Sequence, residues 1–406
     1  MLDSKTIEII QATAPVLKAH SHQIGKRFYE LLFAKAPELY NLFNQTNQKR
    51  GLQQEALGYA VYAAGENITN LEALAPVIRR ISEKHRAIGI KDEQYPIVGE
   101  TLLMAVKDVL GDAATDEIIA AWGKAYGYIS DAFISLEKSL YEETEQQPGG
   151  WADYRSFTVD KKVKETEEVS SLYLKSEDGK PIAAYQAGQY LTIKADIPGE
   201  QYTHIRHYSL SEAPGRDYYR ISVKREQASG NDLEGVVSNY LHEQVKVGDT
   251  LQFSAPAGDF TLSSTDRPVV FISGGIGITP LLSMLNTIAN KQPQRRVAFV
   301  HATTNSQSHA FKNDVAGLEK SHPNLKSFVC YSSPTEEDRV SRNFNKEGRI
   351  DLDWLQSIIP DSKADFYFCG PIPFMQSIHT ALKQWKIPKE NIHFESFSPI
   401  AILDEE

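Results

Sequence analysis

Only two cysteines occur in 406 residues, Cys330 and Cys369. That excludes a disulfide framework and any multi-cysteine zinc or iron–sulfur centre, and it fits a reducing cytoplasm. There is no run of eighteen apolar residues, so no membrane-spanning helix and no stable membrane insertion are expected. The opening Met1-Leu2-Asp3-Ser4-Lys5 has no basic stretch leading into an apolar core, so no secretory leader is expected. Positive charge is the minority sign: 43 Lys and Arg stand against 53 Asp and Glu, a net charge of −10. Such a chain is poorly suited to phosphate backbones, and no nucleic-acid partner is expected. Internal repeats and low-complexity tracts are also missing. What is there, 41% hydrophobic and 24% charged residues, is the composition of a folded protein. At about 150 residues per domain the length suggests two or three domains.

The chain reads as three regions. Up to about Leu140 apolar residues recur at spacings of three and four. The stripes are Ile7, Ile10, Ala14 and Leu17, then Phe28, Leu31, Leu32, Leu39, Leu42 and Phe43. Leu74, Val77, Ile78, Ile81, His85 and Ile88 make a third, and Ile118, Trp122, Ile129, Phe133 and Leu136 a fourth. Pro37, Pro76 and Pro96 suit first-turn positions, so this region is expected to be all-helical. Tyr141 to Trp151 is acidic and polar and then carries Pro148-Gly149-Gly150, a strong punctuation. A domain of residues 1–141 and a linker of 142–150 are expected from it. Residues 151–263 hold short strand candidates separated by Gly, Asp and Pro turns, with one helix inserted from Gly235 to His242. That spacing predicts a small antiparallel β-barrel. Residues 266–406 alternate strands (Val269–Ser273, Val297–His301, Lys326–Tyr331, Asp365–Cys369, Asn391–Glu395) with helices. The alternation predicts an α/β domain with a parallel sheet.

Chemistry enters at Ser273-Gly274-Gly275-Ile276-Gly277-Ile278-Thr279-Pro280. A buried strand runs into glycines, then Thr279 at an expected helix N-cap and Pro280 at the first helical position. Glycines let backbone approach a pyrophosphate, and a helix N-terminus offers N–H donors. The third glycine of G-x-G-x-x-G is absent, and no Gly-Lys-Ser/Thr follows, so neither the standard dinucleotide fingerprint nor a P-loop is present. Alone, the segment is equally an ordinary tight strand-to-helix turn. Cys369-Gly370-Pro371 ends a later strand, at the sheet edge where ligands bind. Upstream, Gly188-Gln189-Tyr190 precedes Arg206-His207-Tyr208-Ser209 on barrel strands. Arginine pairs with phosphate bidentately, and a tyrosine can lie on a flat ring system.

Together these segments resemble the ferredoxin–NADP reductase family over about 250 residues. The resemblance implies FAD contacts from Tyr190, Arg206, His207, Tyr208 and Ser209. It implies pyrophosphate binding at Gly235, Val236, Val237 and Ser238. Gly274, Gly275, Ile276, Gly277, Ile278 and Thr279, with Cys369, Gly370 and Pro371, would bind NAD(P)H. The tail Glu395-Ser396-Phe397-Ser398-Pro399 resembles a flavin-facing terminal segment in which Phe397 covers the isoalloxazine; read alone, Phe397 is equally a core aromatic. Thr303-Thr304-Asn305-Ser306 lacks an arginine suited to a 2′-phosphate, which leans toward NADH.

In the helical region His85 sits on the apolar stripe with Ile78, Ile81 and Ile88. On that fact alone it is an ordinary core histidine. A helical domain of this length is nevertheless the size that holds one haem through a proximal His. Phe43 lies in the Asn41-Leu42-Phe43-Asn44 turn, where it could pack on a porphyrin, and Gln53 and Leu57 share a helix face. The residues Phe28-Tyr29, Pro37-Glu38-Leu39, Leu42-Phe43-Asn44, Gln48-Lys49-Arg50, Gln54-Glu55-Ala56-Leu57, Glu83-Lys84-His85, Gln94 to Glu100 and Ala121 to Gly127 resemble the bacterial flavohaemoglobins, end to end. The resemblance implies a multidomain chain: an all-α globin domain, an antiparallel β-barrel FAD domain and a parallel-sheet NAD(P) domain.

It also implies haem b on His85, with Tyr29, Gln53 and Leu57 lining the distal pocket and Phe43 packing on the haem. Tyr95 and Glu137 would form a hydrogen-bond relay with His85. Without the resemblance these two read as a helix-start aromatic and a solvated carboxylate. Lys84 faces either a haem propionate or solvent. A phenol and an amide can donate to polarised dioxygen, and a carboxylate on the His85 ring raises ligand basicity. The domain order carries its own logic: nicotinamide gives electrons in pairs, haem iron takes them singly, and a flavin converts between the two. The activity implied is nitric oxide dioxygenase, which oxidises NO with O₂ to nitrate using electrons from NAD(P)H through FAD, in a cytoplasmic monomer. Two other readings stay open. One is a flavin reductase of quinones, ferric chelates or hydroperoxides; the other is a haem-based O₂ or NO sensor.

Overall fold

The Asp3 carboxylate accepts the Thr6 N–H at 2.9 Å and so caps the first helix. A computed structural model describes residues 2–49, 51–228 and 234–398. The first region folds as α1 (Ser4–Ala19), α2 (Ser21–Lys35), α3 (Gln45–Lys49), α4 (Leu52–Glu66), α5 (Ala75–Ile88), α6 (Tyr95–Leu110) and α7 (Asp116–Gln146). Pro37, Pro76 and Pro96 stand in first turns as expected, Pro37 in a 3₁₀ segment. Ile10, Ala14 and Leu17 meet Phe28, Leu32, Val106, Trp122 and Ala125 in one core. The approach of α4 to α2 requires glycines: a Cβ on Gly25 would stand 2.5 Å from the Gln54 carbonyl, and one on Gly58 2.5 Å from Ser21 Cβ. This crossing fixes the first turns of α4 against α2.

The last helix is longer than expected. It runs on to Gln146, through the first half of the segment read as a linker, because Tyr141-Glu142-Glu143-Thr144-Glu145-Gln146 contains no breaker and three glutamates. The break falls at Pro148-Gly149-Gly150, where Gly149 takes φ +75°.

The second region gives β1 (Tyr154–Lys164), β2 (Val169–Ser176), β3 (Tyr190–Ala195), β4 (His204–Ser209), β5 (Tyr219–Lys224), α8 (Val236–Glu243) and β6 (Thr250–Ser254). The six strands form a sheet in the order β4-β3-β6-β1-β2-β5. Antiparallel ladders join β1 to β2 and β2 to β5, with a register shift between Val159 and Lys161. By packing, the chain divides into two compact units, Met1–Arg155 with Thr192–Arg206, and Ser156–Leu191 with His207–Glu406. Within the first unit, Asn41 Oδ1 accepts from the Thr203 N–H at 2.9 Å and Tyr40 stacks on Tyr202.

The third region is β7 (Val269–Gly274), α9 (Ile278–Lys291), β8 (Val297–Thr303), α10 (Lys312–Ser321), β9 (Leu325–Tyr331), α11 (Glu336–Ser341), β10 (Lys346–Glu347), α12 (Leu352–Ile358), β11 (Asp365–Cys369), α13 (Ile372–Gln384) and β12 (Ile392–Glu395). Its sheet is parallel, in the order β10-β9-β8-β7-β11-β12. Apolar layers cover both faces: Phe271, Phe299, Leu281 and Val315 on one, Ile272, Phe366, Phe368 and Ile378 on the other. Every residue of β7 and β11 is accordingly buried, as in central strands of a doubly covered sheet.

Candidate functional site

Helix α5 departs from the usual amphipathic arrangement, in which the apolar stripe faces the protein core. Its apolar residues Ile78, Ile81 and Ile88 are only half-buried, and Val77 is exposed, whereas Ser82, Glu83, Arg86 and Ala87 on the other side are buried. A buried Arg86–Glu83 ion pair at 3.3 Å holds that polar side. His85 stands in the last turn. Gly89 ends the helix in the left-handed region at φ +84°, and its N–H and that of Ile90 both bond the His85 carbonyl.

The His85 ring is oriented by two partners. Nδ1 lies 2.7 Å from Glu137 Oε1 and 3.1 Å from the Tyr95 hydroxyl, and the Tyr95 hydroxyl donates to the same Glu137 oxygen at 2.7 Å. A carboxylate only accepts, so Nδ1 carries the proton and Nε2 keeps its lone pair. Among the described residues Nε2 has no hydrogen-bond partner, and the side chain is 30% exposed. Burial and the Glu137 charge push the Tyr95 phenol far above its ordinary value, so it remains a donor. Sequence reasoning missed two supports. The Tyr126 hydroxyl donates to the Tyr95 carbonyl at 2.7 Å, and the Phe133 ring lies 5.9 Å from the His85 ring.

Tyr29 on α2 is 8% exposed and ringed by Phe28, Phe33 and Phe43, whose centroids lie 4.8, 5.7 and 5.4 Å away. Burial raises the phenol pKa well above its ordinary value, against a smaller lowering by Gln48, a neighbour the sequence reading did not single out. Phe43 follows the 3₁₀ segment Pro37–Leu42 in extended conformation. Gln53, in the first turn of α4, buries Oε1 with no partner among the described residues. Leu57, one turn on, is a partly buried neighbour of the helical core, as is Phe43. Lys84 is half-buried.

In the second unit Tyr190 is buried with its ring 4.7 Å from the exposed His207 ring. Tyr208 is half-buried and Ser209 buried. Arg206, which belongs to the first unit, donates to the Ile205 carbonyl at 2.7 Å and to Thr46 Oγ1 at 3.2 Å. Gly235 caps α8, ahead of Val236 and the buried Val237. The Ser238 hydroxyl is engaged locally, donating to the Gly235 carbonyl and accepting from the Glu226 N–H. Ser396 accepts the Ser398 N–H, and Phe397 is 51% exposed rather than a core aromatic. Pro399 lies outside the described residues.

Strand register sets Ser273 opposite Cys369, which brings the glycine turn and Cys369-Gly370-Pro371 together at one sheet edge. The contact is close: a Cβ on Gly277 would stand 2.3 Å from the Cys369 carbonyl oxygen. Burial pushes the Cys369 thiol well above its ordinary pKa, so it stays protonated. One expectation is corrected. Thr279 does not cap the helix; Gly275–Gly277 forms a 3₁₀ turn, Gly277 is the cap, and α9 starts at Ile278. The Thr279 hydroxyl is buried and donates to the Ile276 carbonyl at 3.0 Å. Gly275 at φ +52° permits the turn.

A helical domain carrying a single relay-bound histidine, followed by an antiparallel sheet and then a parallel sheet with a glycine turn, defines a globin continuous with a flavin and nicotinamide reductase. Family models agree: "Globin" matches residues 26–133, "Oxidoreductase FAD-binding domain" 156–262 and "Oxidoreductase NAD-binding domain" 271–380. The flavohemoprotein of Bacillus anthracis is 53% identical over 404 residues, 99% of this chain and all of the relative. That of Halalkalibacterium halodurans is 51% identical over 99% of this chain and 98% of its own length. The chain belongs to the flavohemoprotein family. Among solved structures, a flavohemoglobin from Malassezia yamatoensis with bound FAD and haem superposes with a TM-score of 0.85 at 26% identity, covering 98% of this chain and all of that one. The FAD/NAD-binding domain of a nitric oxide dioxygenase from Vibrio cholerae matches 60% of this chain and 98% of its own, at 39% identity and a TM-score of 0.55. Among the described residues no helix is long and apolar enough to cross a membrane.

Proposed function

We propose that the chain is a nitric oxide dioxygenase that oxidises NO with O₂ to nitrate, driven by NAD(P)H with a lean toward NADH, and acts as a cytoplasmic monomer. The observation that carries the reading is the His85–Glu137–Tyr95 triangle, with a bare Nε2 on a half-buried apolar helix face. These residues fit a haem. Among the described residues no group of three or more His, Cys, Asp or Glu could hold a metal ion. A single imidazole on the helix face that carries the partly buried Ile78 and Ile81 suits iron inside a large apolar ring.

When bound, nicotinamide would supply hydride, FAD would convert between electron pairs and single electrons, and a haem held by His85 would supply one-electron and oxygen chemistry. The protein's part is positional and electrostatic. Glu137 holds the His85 proton on Nδ1, orients the ring and makes Nε2 a stronger donor. Tyr95 fixes Glu137. Tyr29 stays protonated and donates its O–H across the distal side, with the Gln53 amide as second polar group. Phe43 and Leu57 keep that side apolar, which admits small neutral gases. Lys84 lies next to His85 and suits a propionate.

In the reductase part, Tyr190, Arg206, His207, Tyr208 and Ser209 would contact FAD. The N–H groups from Gly235 to Ser238, at the start of α8, would offer donors to its pyrophosphate. Glu395 to Ser398 suits the flavin-facing tail, where a half-exposed Phe397 is free to yield to nicotinamide. Gly274 to Thr279 and Cys369 to Pro371 suit the dinucleotide, as the narrow Gly277–Cys369 contact supports.

His85→Ala tests the reading. NADH-driven reduction of ferricyanide should persist while NO consumption and the haem Soret band are lost. Retained NO consumption would overturn it, and equal loss of both activities would point to a folding defect, which flavin content and thermal unfolding would reveal.

A further inference from the structure

A cavity of about 300 Å³, the lower end of the small-molecule range, lies in the parallel-sheet domain away from the glycine turn. Its floor comes from β8, with Phe299 and His301, and from β9. Lys312, Val315 and Ala316 of α10 and residues 342–345 enclose it. None of Gly274 to Thr279 or Cys369 to Pro371 lines it.

Two buried imidazoles face this space. His301 is 2% exposed and holds Ser273 Oγ through Nδ1 at 2.8 Å; His309 is 7% exposed and holds the Tyr331 hydroxyl through Nδ1 at 2.9 Å. Each ring is engaged at Nδ1, and among the described residues neither Nε2 has a partner. Burial keeps both rings neutral, with His309 pushed down to about 4. Asn343 adds a buried unmet group: its Nδ2 donates to Asp338, whereas Oδ1 is buried with no partner among the described residues. A buried polar atom left unmet is costly, and Asn343 Oδ1, together with two imidazole nitrogens lining the same cavity, marks a place suited to a polar occupant.

The rim supplies charge. Lys312 and Arg342 have no ion pair among the described residues, and the Lys312 charge reaches His309. The nearby carboxylates are committed elsewhere. Asp338 accepts from the Ser306 and Thr335 N–H groups as well as from Asn343, and Glu319 accepts from the Ser327 N–H. The walls are flat and apolar at Phe299 and Phe344.

We propose that this cavity binds a small planar aromatic carboxylate bearing a ring hydroxyl. The ring lies between the aromatic walls. The carboxylate meets Lys312 and Arg342, and the hydroxyl donates to Asn343 Oδ1 or to an imidazole Nε2. The occupant is separated from the glycine turn by two side chains, His301 and Ser273. The inference does not depend on the haem reading.

The probe is 4-hydroxybenzoate, titrated calorimetrically into the full-length holoprotein, with ¹⁵N-histidine spectra recorded in parallel. Saturable one-to-one binding is expected, with shifts at the His301 and His309 Nε2 resonances. Lys312→Gln should weaken binding about tenfold, and Ala316→Trp, which fills the cavity, should abolish it. Saturating NADH should leave the affinity unchanged. No binding, binding untouched by either variant, or phenol binding as tightly as 4-hydroxybenzoate would overturn the proposal. Competitive displacement by NADH would also overturn it, by making the cavity part of the dinucleotide site. Thermal unfolding of both variants guards against misfolding, and Lys312→Gln, at a half-buried site with no ion pair among the described residues, gives a reading even if Ala316→Trp unfolds.

Discussion

Glu137 and Tyr95 both reach His85 Nδ1, and the one Glu137 oxygen at 2.7 Å receives the imidazole proton and the Tyr95 hydroxyl together. The triangle fixes the tautomer and leaves one ring nitrogen to act. Glu137→Gln keeps the shape and removes the charge. NO turnover should fall by about 10–100-fold, the usual effect of losing an outer-sphere partner of a metal-bound histidine. Steady-state NO consumption measures it, and the ferricyanide activity should stay at the wild-type level.

Tyr29→Phe removes the hydroxyl proposed to face the distal side but keeps the aromatic packing against Phe28, Phe33 and Phe43. A lost hydrogen bond of about 1–2 kcal/mol predicts O₂ release faster by about five- to thirtyfold. Stopped-flow release of O₂ from the reduced protein reads this directly. An unchanged rate would remove Tyr29 from the distal donors.

Gly277→Ala places a methyl against the Cys369 carbonyl, backbone on backbone, where nothing flexible can give way. A cost of about 1–3 kcal/mol is expected from such overpacking. The thermal midpoint of the reductase part should drop, and KM for NADH should rise with ferricyanide as acceptor. The haem spectrum should not change.

His309 gives a pH signature. Its folded-state pKa is lowered from 6.5 to about 4, mainly by burial. Folded protein therefore binds fewer protons than unfolded chain between those values, and stability rises with pH there. The contribution is complete above 6.5 and is lost as pH falls toward 4, about 3 kcal/mol in all. His309→Asn should flatten the fall in unfolding temperature between about pH 7 and about pH 5. A slope equal to that of wild type would show that His309 titrates normally.

Periodicity made the architecture legible. The strand expected at Asp365–Cys369 forms over those residues, and helix starts at Pro76 and Pro96 follow from a fixed φ. Local rules failed where backbone geometry decided. At Thr279 the residue type suggested a cap, but Gly275 bends into a 3₁₀ turn first, and the hydroxyl turns inward. At Glu142–Gln146 the polar composition suggested a linker, yet its residues are good helix formers and simply prolong α7. In the site, the meeting of His85, Tyr95 and Glu137 was legible only through the family resemblance and not from spacing: positions 85, 95 and 137 converge through the packing of α5, α6 and α7. Gln48 beside Tyr29 and Tyr126 beneath Tyr95 carry no spacing signal at all.

The reversed burial of α5 bears on how freely the prosthetic group can be exchanged. Because Ser82, Glu83 and Arg86 anchor the helix from its polar side, the orientation of His85 is set by the polypeptide and not by what lies against Ile78 and Ile81. If His85 holds the haem as proposed, the globin part should therefore accept a manganese or zinc porphyrin in register with the same imidazole, making it a frame for semisynthetic photochemical or redox partners of the attached flavin.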